Sequence, residues 1–152
     1  QLQGTEKVLD LFCGFGNFSL PLAKQAAELL GIEGAKTQVE RAKNNAELNQ
    51  IANAKFIAAD LNQPLKEQAW LAKNAAWEVV VLDPPRAGAE AICQQLGELG
   101  TKKILYISCN PTTLARDTAL LLQQGFELKQ LGIMDMFPQT AHVESMALFV
   151  QP

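Results

Sequence analysis

Lys7-Val8-Leu9-Asp10-Leu11-Phe12-Cys13-Gly14-Phe15-Gly16-Asn17 changes character halfway along. Lys7 to Phe12 is an apolar run of strand length. Cys13 to Gly16 is a turn, and from Asn17 to about Gln25 the apolar residues take helical spacing. A strand that opens through a glycine turn into a helix is the first unit of an α/β sheet. Glycines there let backbone approach a ligand closely, and a helix N-terminus offers free N–H groups. The third glycine of a dinucleotide fingerprint is missing, because Phe18 and Ser19 follow Asn17. That disfavours a ligand carrying a pyrophosphate.

Outward from this stretch the alternation continues. Glu28 to Glu33 reads as a second strand and Ala35 to Leu48 as a polar-faced helix, with Val39, Ala42 and Ala46 on one side. Lys55 to Ala59 is a third strand ending at Asp60, and Pro64 suits the first turn of a further helix. Trp77 to Leu82 is a buried strand stopped by Asp83-Pro84-Pro85, followed by a helix from about Ala89 to Leu99 with Gly100 as its stop. Lys103 to Ser108 is a fifth strand, and Thr113 to Gln124 is helical up to Gly125. Phe126 to Met136 and Val143 to Val150 alternate as strands at the end of a mixed sheet do. The pattern predicts a largely parallel sheet covered on both faces, with ligands outside the carboxyl ends of its strands. Asp10 and Cys13, Glu33, Asp60, Asp83 and Cys109 close the five strands, so all five are expected to point at one crevice.

The 152 residues make room for a single domain. At 48% hydrophobic and 19% charged, the chain is built to bury a core. No apolar run approaches the roughly 20 residues of a membrane helix. A net charge of -3 speaks against a dedicated nucleic-acid-binding domain. Three cysteines at irregular spacing make neither a disulfide framework nor a zinc site, which suits the reducing cytoplasm. The chain opens on Gln1-Leu2-Gln3 without an initiator Met, and the expectation is a piece of a longer protein.

Glu33 lies 17 positions after Gly16, where an acid can take both hydroxyls of a ribose. Asp60 can accept from an adenine amino group, although a helix cap would look the same. Glycine turn, ribose acid and adenine-side acid together point to adenosine without phosphate, and so to S-adenosylmethionine. Cys109, in Ser108-Cys109-Asn110-Pro111, follows its strand instead of sitting within it, and this context favours a nucleophile over an inert packing thiol. Cys93 on an amphipathic helix and Cys13 in the glycine turn read as packing residues. Glu144 opens an apolar strand, an odd place for a solvated acid. His142 is a base or a surface histidine, and Arg86 and Arg116 are substrate contacts or solvated cations; the sequence leaves both pairs of readings open.

Four stretches in order, VLDLFCGFGNFSLPLA, LDPPRAGA, SCNPTTLARD and MDMFPQTAHVESMALF, resemble the S-adenosylmethionine-dependent RNA (uracil-5-)-methyltransferases. The likeness runs from Val8 to Phe149 and is nearer to the bacterial 23S ribosomal RNA branch than to the transfer-RNA branch. It implies a class I methyltransferase fold of Rossmann-like type. Such a fold has a mostly parallel seven-stranded sheet with helices on both faces, here as one catalytic domain over residues 1–152. It implies cofactor contacts from Phe12, Gly14, Asn17, Glu33, Asp60 and Asp83, a nucleophile at Cys109 and a general base at Glu144, with no metal. It also implies a 23S ribosomal RNA substrate, a cytoplasmic monomer, and an RNA-binding barrel and an iron–sulfur segment that belong upstream of this chain. Two positions depart from the family. Asp60 stands where asparagine is usual. Pro85 stands where alanine is frequent, which turns Asp83-Pro84-Pro85 towards the motif of amino-group methyltransferases and sustains that chemistry as the alternative.

Overall fold

A computed structural model describes residues 2–71, 76–135 and 143–152. Val8, Leu9 and Leu11 are wholly buried, and β1 (Lys7–Leu11) is an interior strand of the seven. β2 (Glu28–Glu33) and β3 (Ala54–Ala58) add outward on one side, while β4 (Val79–Leu82) and β5 (Lys103–Ser108) add on the other, all parallel. β7 (Glu144–Val150) runs antiparallel to β5 and carries β6 (Glu127–Met134) at the edge, giving the order β3-β2-β1-β4-β5-β7-β6. Both faces of the parallel strands are apolar, as strands under helices must be.

Alternate residues of each strand feed two cores. Val8, Leu29, Val79, Val81 and Ile107 pack beneath α1 (Ser19–Ala23) and α2 (Lys36–Leu48). Leu9, Leu11, Val80, Leu82, Ile104 and Tyr106 pack beneath α3 (Glu90–Cys93) and α4 (Pro111–Gln123). Gly31 in β2 is a matter of space: a Cβ there would stand 2.6 Å from the Phe56 ring and 2.9 Å from the Cys13 sulfur.

Several elements differ in extent from the sequence pattern. α1 is one short turn, because the chain from Phe12 to Phe18 is spent on the glycine turn. Pro64 introduces only a 3-10 turn at Leu65–Glu67. The stretch Ala89–Leu99 is α3 followed by a 3-10 turn at Leu96–Leu99. Gln124 of the next helix causes that break. Its amide donates to the Cys93 carbonyl and accepts from the Gly97 N–H at 2.8 Å, the two groups a continuous helix would have joined to each other. α4 starts at Pro111, two residues early, because the Asn110 side chain caps it by accepting from Thr112 N at 3.1 Å. Met136 and His142 lie outside the described residues.

Candidate active site

Strand order reverses between β1 and β4, and this switch point opens a crevice at the carboxyl ends of the strands. Phe12, the first residue past β1, takes a φ of 64°, a left-handed conformation that costs a side-chain-bearing residue about 1 kcal/mol. The turn that follows is tied down at once. Cys13 N donates to Ile32 O at 3.0 Å and Gly16 N to Cys13 O at 2.9 Å. Glu33, at the end of β2, then clamps it: one carboxylate oxygen accepts from Gly14 N at 3.1 Å and the other from Ala35 N at 2.9 Å. One side chain thus joins the glycine turn to the entrance of α2.

Phe12, Gly14, Glu33, Asp60 and Asp83 line one cleft of about 390 Å³, together with Pro85. Asn17 stands apart from them, exposed in a separate hollow with Phe15 and Asn45 on the α1–α2 side. Asp60 is folded back on its own turn. It accepts from Asn62 N and Asn62 Nδ2, both at 2.9 Å, and from Gln63 Nε2 at 3.3 Å. The Asn62 amide and then the Gln63 side chain hold its carboxyl below the usual range. Asp83 still meets solvent, yet the protein around it, and after that the Glu144 carboxylate, push its carboxyl up to about 6.

Asp10 and Cys13 are not among the residues lining the cleft, although the sequence pattern aims both at the crevice. Strand alternation turns Asp10 beneath α1, where it is 1% exposed and accepts from Ser19 Oγ at 2.5 Å, while its Oδ1 has no partner among the described residues. Burial, opposed by the Ser19 bond and aided by Asp83, lifts it to about 7. Cys13 and Cys93 are buried and burial pushes their thiols up, so both are packing groups.

Cys109 is exposed. It directly follows β5, whose last paired residue, Ser108, lies opposite Ser145 of β7, the chain neighbour of Glu144. The turn is held on both sides of the thiol: Ser108 Oγ accepts from Asn110 N at 3.0 Å and donates to Asn110 O at 2.9 Å. The Glu144 carboxylate acts on Asp83, which lines the cleft, while Cys109 stands exposed just past the strand beside β7 and is not among the cleft-lining residues.

Arg116 is engaged within the fold: it pairs with Asp117 at 2.7 Å and Glu90 at 3.3 Å and donates to Ala87 O at 3.0 Å. Arg86 is exposed, and its carbonyl accepts from Asn110 Nδ2 and Thr113 Oγ1. The sequence reading passed over Asp117, whose signal is a charge on the buried stripe Leu114–Asp117–Leu121 of α4. Among the described residues no group of three His, Cys, Asp or Glu is placed to hold a metal, and no helix is long and apolar enough to cross a membrane.

The family model described as tRNA (uracil-5-)-methyltransferase matches residues 2–151. A 23S rRNA (uracil(1939)-C(5))-methyltransferase RlmD of Pseudomonas entomophila is 56% identical over 147 residues, 97% of this chain and 32% of that relative. The protein of the same name from Vibrio parahaemolyticus is 56% identical over 97% of this chain and 33% of its own length. The chain thus spans about a third of the length of these curated relatives. Among solved structures, the Pyrococcus abyssi tRNA (uracil-54, C5)-methyltransferase in complex with S-adenosyl-L-homocysteine superposes with a TM-score of 0.82 at 33% identity. It covers 98% of this chain and 35% of that one. The magnesium protoporphyrin IX methyltransferase of Synechocystis, at 19% identity over 99% of this chain and 72% of that one, with a TM-score of 0.74, shares the Rossmann-like fold.

Proposed function

The chain belongs to the tRNA (uracil-5-)-methyltransferase family. From that premise we propose that it is the catalytic domain of a longer enzyme that methylates C5 of a uridine in ribosomal RNA, using S-adenosylmethionine. The observation that carries the reading is the exposed thiol of Cys109 just past β5, whose neighbour Ser108 pairs with Ser145 of β7 next to Glu144, the carboxylate that acts on cleft-lining Asp83.

The cleft suits the cofactor's chemistry. Glu33 lines the cleft where the spacing from the glycine turn suits a ribose, and Glu33, Asp60 and Asp83 form no ion pair among the described residues, which favours a cationic ligand. When bound, the cofactor supplies an electrophilic methyl on a sulfonium. The remaining work belongs to side chains. Uracil C5 is a poor nucleophile, so Cys109 as thiolate adds to C6; the C6–S bond forms and the ring becomes an enolate whose C5 takes the methyl. Cys109 directly precedes the N-cap of α4, so negative charge on its sulfur lies at the helix end that favours anions. Glu144 then removes the C5 proton, the C5=C6 bond re-forms and the thiolate leaves. The target base must be turned out of its stack to reach this edge. Most phosphate contacts would come from parts outside this acidic chain, including the upstream barrel and iron–sulfur segment that the family resemblance implies; no step here passes through a metal.

The test is the intact protein with RNA carrying 5-fluorouridine at the target, which cannot release its C5 substituent as a proton. Wild type is expected to form an adduct stable to denaturation, and Cys109→Ala none. An adduct that survives Cys109→Ala, or full methylation of an exocyclic amino group by that variant, overturns the reading.

A further inference from the structure

The loop between β4 and α3 contributes Asp83 and Pro85 to the cleft, yet it is held from the helix that follows Cys109. Four residues in sequence are gripped. Arg86 O accepts from Asn110 Nδ2 at 3.0 Å and Thr113 Oγ1 at 3.2 Å, and Ala87 O accepts from Arg116 Nη2 at 3.0 Å. Gly88 has a φ of 79°, and a Cβ there would fall 2.6 Å from Asp117 Oδ2. Ala89 N donates to Asp117 Oδ2 at 2.7 Å. Asp117 is the centre of this grip. It is wholly buried, it accepts from Tyr106 Oη at 2.6 Å on β5, and its other oxygen accepts from Arg116 Nε at 2.8 Å. A buried carboxylate survives only with such partners, and every partner here ties the β4 loop, β5 or α4 to one another.

We infer that Asp117 is a positioning residue for the reaction: it locks the loop from Asp83 to Ala89 against the turn that presents Cys109, and so sets the bound methyl donor against the nucleophile. It touches neither substrate nor cofactor. The inference rests on the uracil-C5 reading above. The loop's Pro85 and Gly88 continue the cleft into a second hollow of about 540 Å³ that shares Phe12, Leu61 and Asn62 with it or with its rim, so a shift of the loop reshapes the cofactor side as well.

The experiment compares wild type, Asp117→Asn and the milder Tyr106→Phe in the intact protein, below the thermal midpoint of each. Titration with 5-fluorouridine RNA counts competent sites, the rate of adduct formation is taken per titrated site, and S-adenosylhomocysteine affinity is read by calorimetry. A misplacement of reacting groups predicts an undiminished site count for Asp117→Asn with a rate per site about 100-fold lower. Tyr106→Phe is expected to fall in the same direction by less, and it carries the test if Asp117→Asn does not fold. A reduced site count with a wild-type rate per site shows a merely structural role and overturns the inference, as does no change in either. If wild type forms no adduct, the uracil-C5 reading has failed by itself. S-adenosylhomocysteine affinity then decides: weakening in both variants supports the grip on the cleft, and an unchanged affinity overturns it.

Discussion

On the β2–β3 wall of the cleft, Glu33 accepts from the backbone of Gly14 and Ala35, and Asp60 from Asn62 and Gln63. On the β4–β5–β7 wall, the side chains of Asp83, Cys109 and Glu144 make no hydrogen bond among the described residues, and Asp83 is lifted to about 6 with Glu144 contributing. The first wall is held in one geometry by these bonds, which on the proposed reading suits recognition. The second leaves its side chains without hydrogen-bond partners among the described residues, which on the proposed reading frees Cys109 and Glu144 to react with a substrate. Substitutions should therefore act as losses of chemistry on one wall and losses of affinity on the other.

The largest effect is expected at Glu144. Glu144→Gln keeps the shape but cannot take the C5 proton, so turnover should fall by about 10²–10⁴-fold, the range a positioned general base supplies. Because the stall follows methyl transfer, ordinary uridine RNA should now accumulate as a covalent adduct on a denaturing gel. Near wild-type turnover would move the base elsewhere and break the contrast between the walls.

On the recognition wall, Glu33→Ala removes an acceptor for ribose and orphans the N–H groups of Gly14 and Ala35. A lost hydrogen bond to a charged group costs about 1.5–3 kcal/mol, so S-adenosylhomocysteine affinity should drop roughly 10- to 100-fold by calorimetry. Adduct formation at saturating RNA and saturating S-adenosylmethionine should change less, since the loss is one of cofactor affinity. Equal losses in both would show that the walls do not divide the work.

Asp10 extends the comparison beneath the cleft, as a carboxyl buried with one donor where Asp117 has three. Its pKa rises from an ordinary 3.8 to about 7 on folding. A carboxyl raised in the native state favours the protonated fold. Its contribution is whole below about pH 4 and drains away as pH rises through about 7. Wild type should accordingly lose about 3 kcal/mol between pH 5 and pH 8 from this group, two units below its folded pKa at about 1.4 kcal/mol per unit. Asp10→Asn should flatten that slope in denaturant unfolding, and a slope left intact would place the titration on another group.

Much of this was legible because it is written locally. The apolar run Val79–Leu82 ended by Asp83-Pro84-Pro85, the glycine turn, and the spacing from Gly16 to Glu33 each point to their own element. Cys109 was legible because a thiol just past a strand, before Asn110-Pro111, is out of place in a core. The rest depends on partners distant in sequence. The break after Cys93 is made by Gln124, and the β4 loop is fixed by Asp117 through a glycine at position 88. Asp10 was misaimed because strand alternation, not proximity to the turn, decides its face. His142 lies outside the described residues, and its two readings stand as they were.

Asp60 should give the smallest effect. Its carboxylate is exposed, and the Asn62 and Gln63 donors already satisfy it, so its negative charge is spent locally on closing the turn after β3. What it can offer an adenine amino group is an acceptor oxygen of fixed position. Asp60→Asn keeps such an oxygen, and the Asn62 N–H can still be accepted by it, so S-adenosylhomocysteine affinity should change by less than about 1 kcal/mol, roughly fivefold, the net value of one neutral hydrogen bond. Asp60→Ala, which removes the oxygen and frees the turn, should lose more than the asparagine variant. A large loss already with asparagine would mean that charge itself acts on this wall, and that the recognition side works by field as well as by shape.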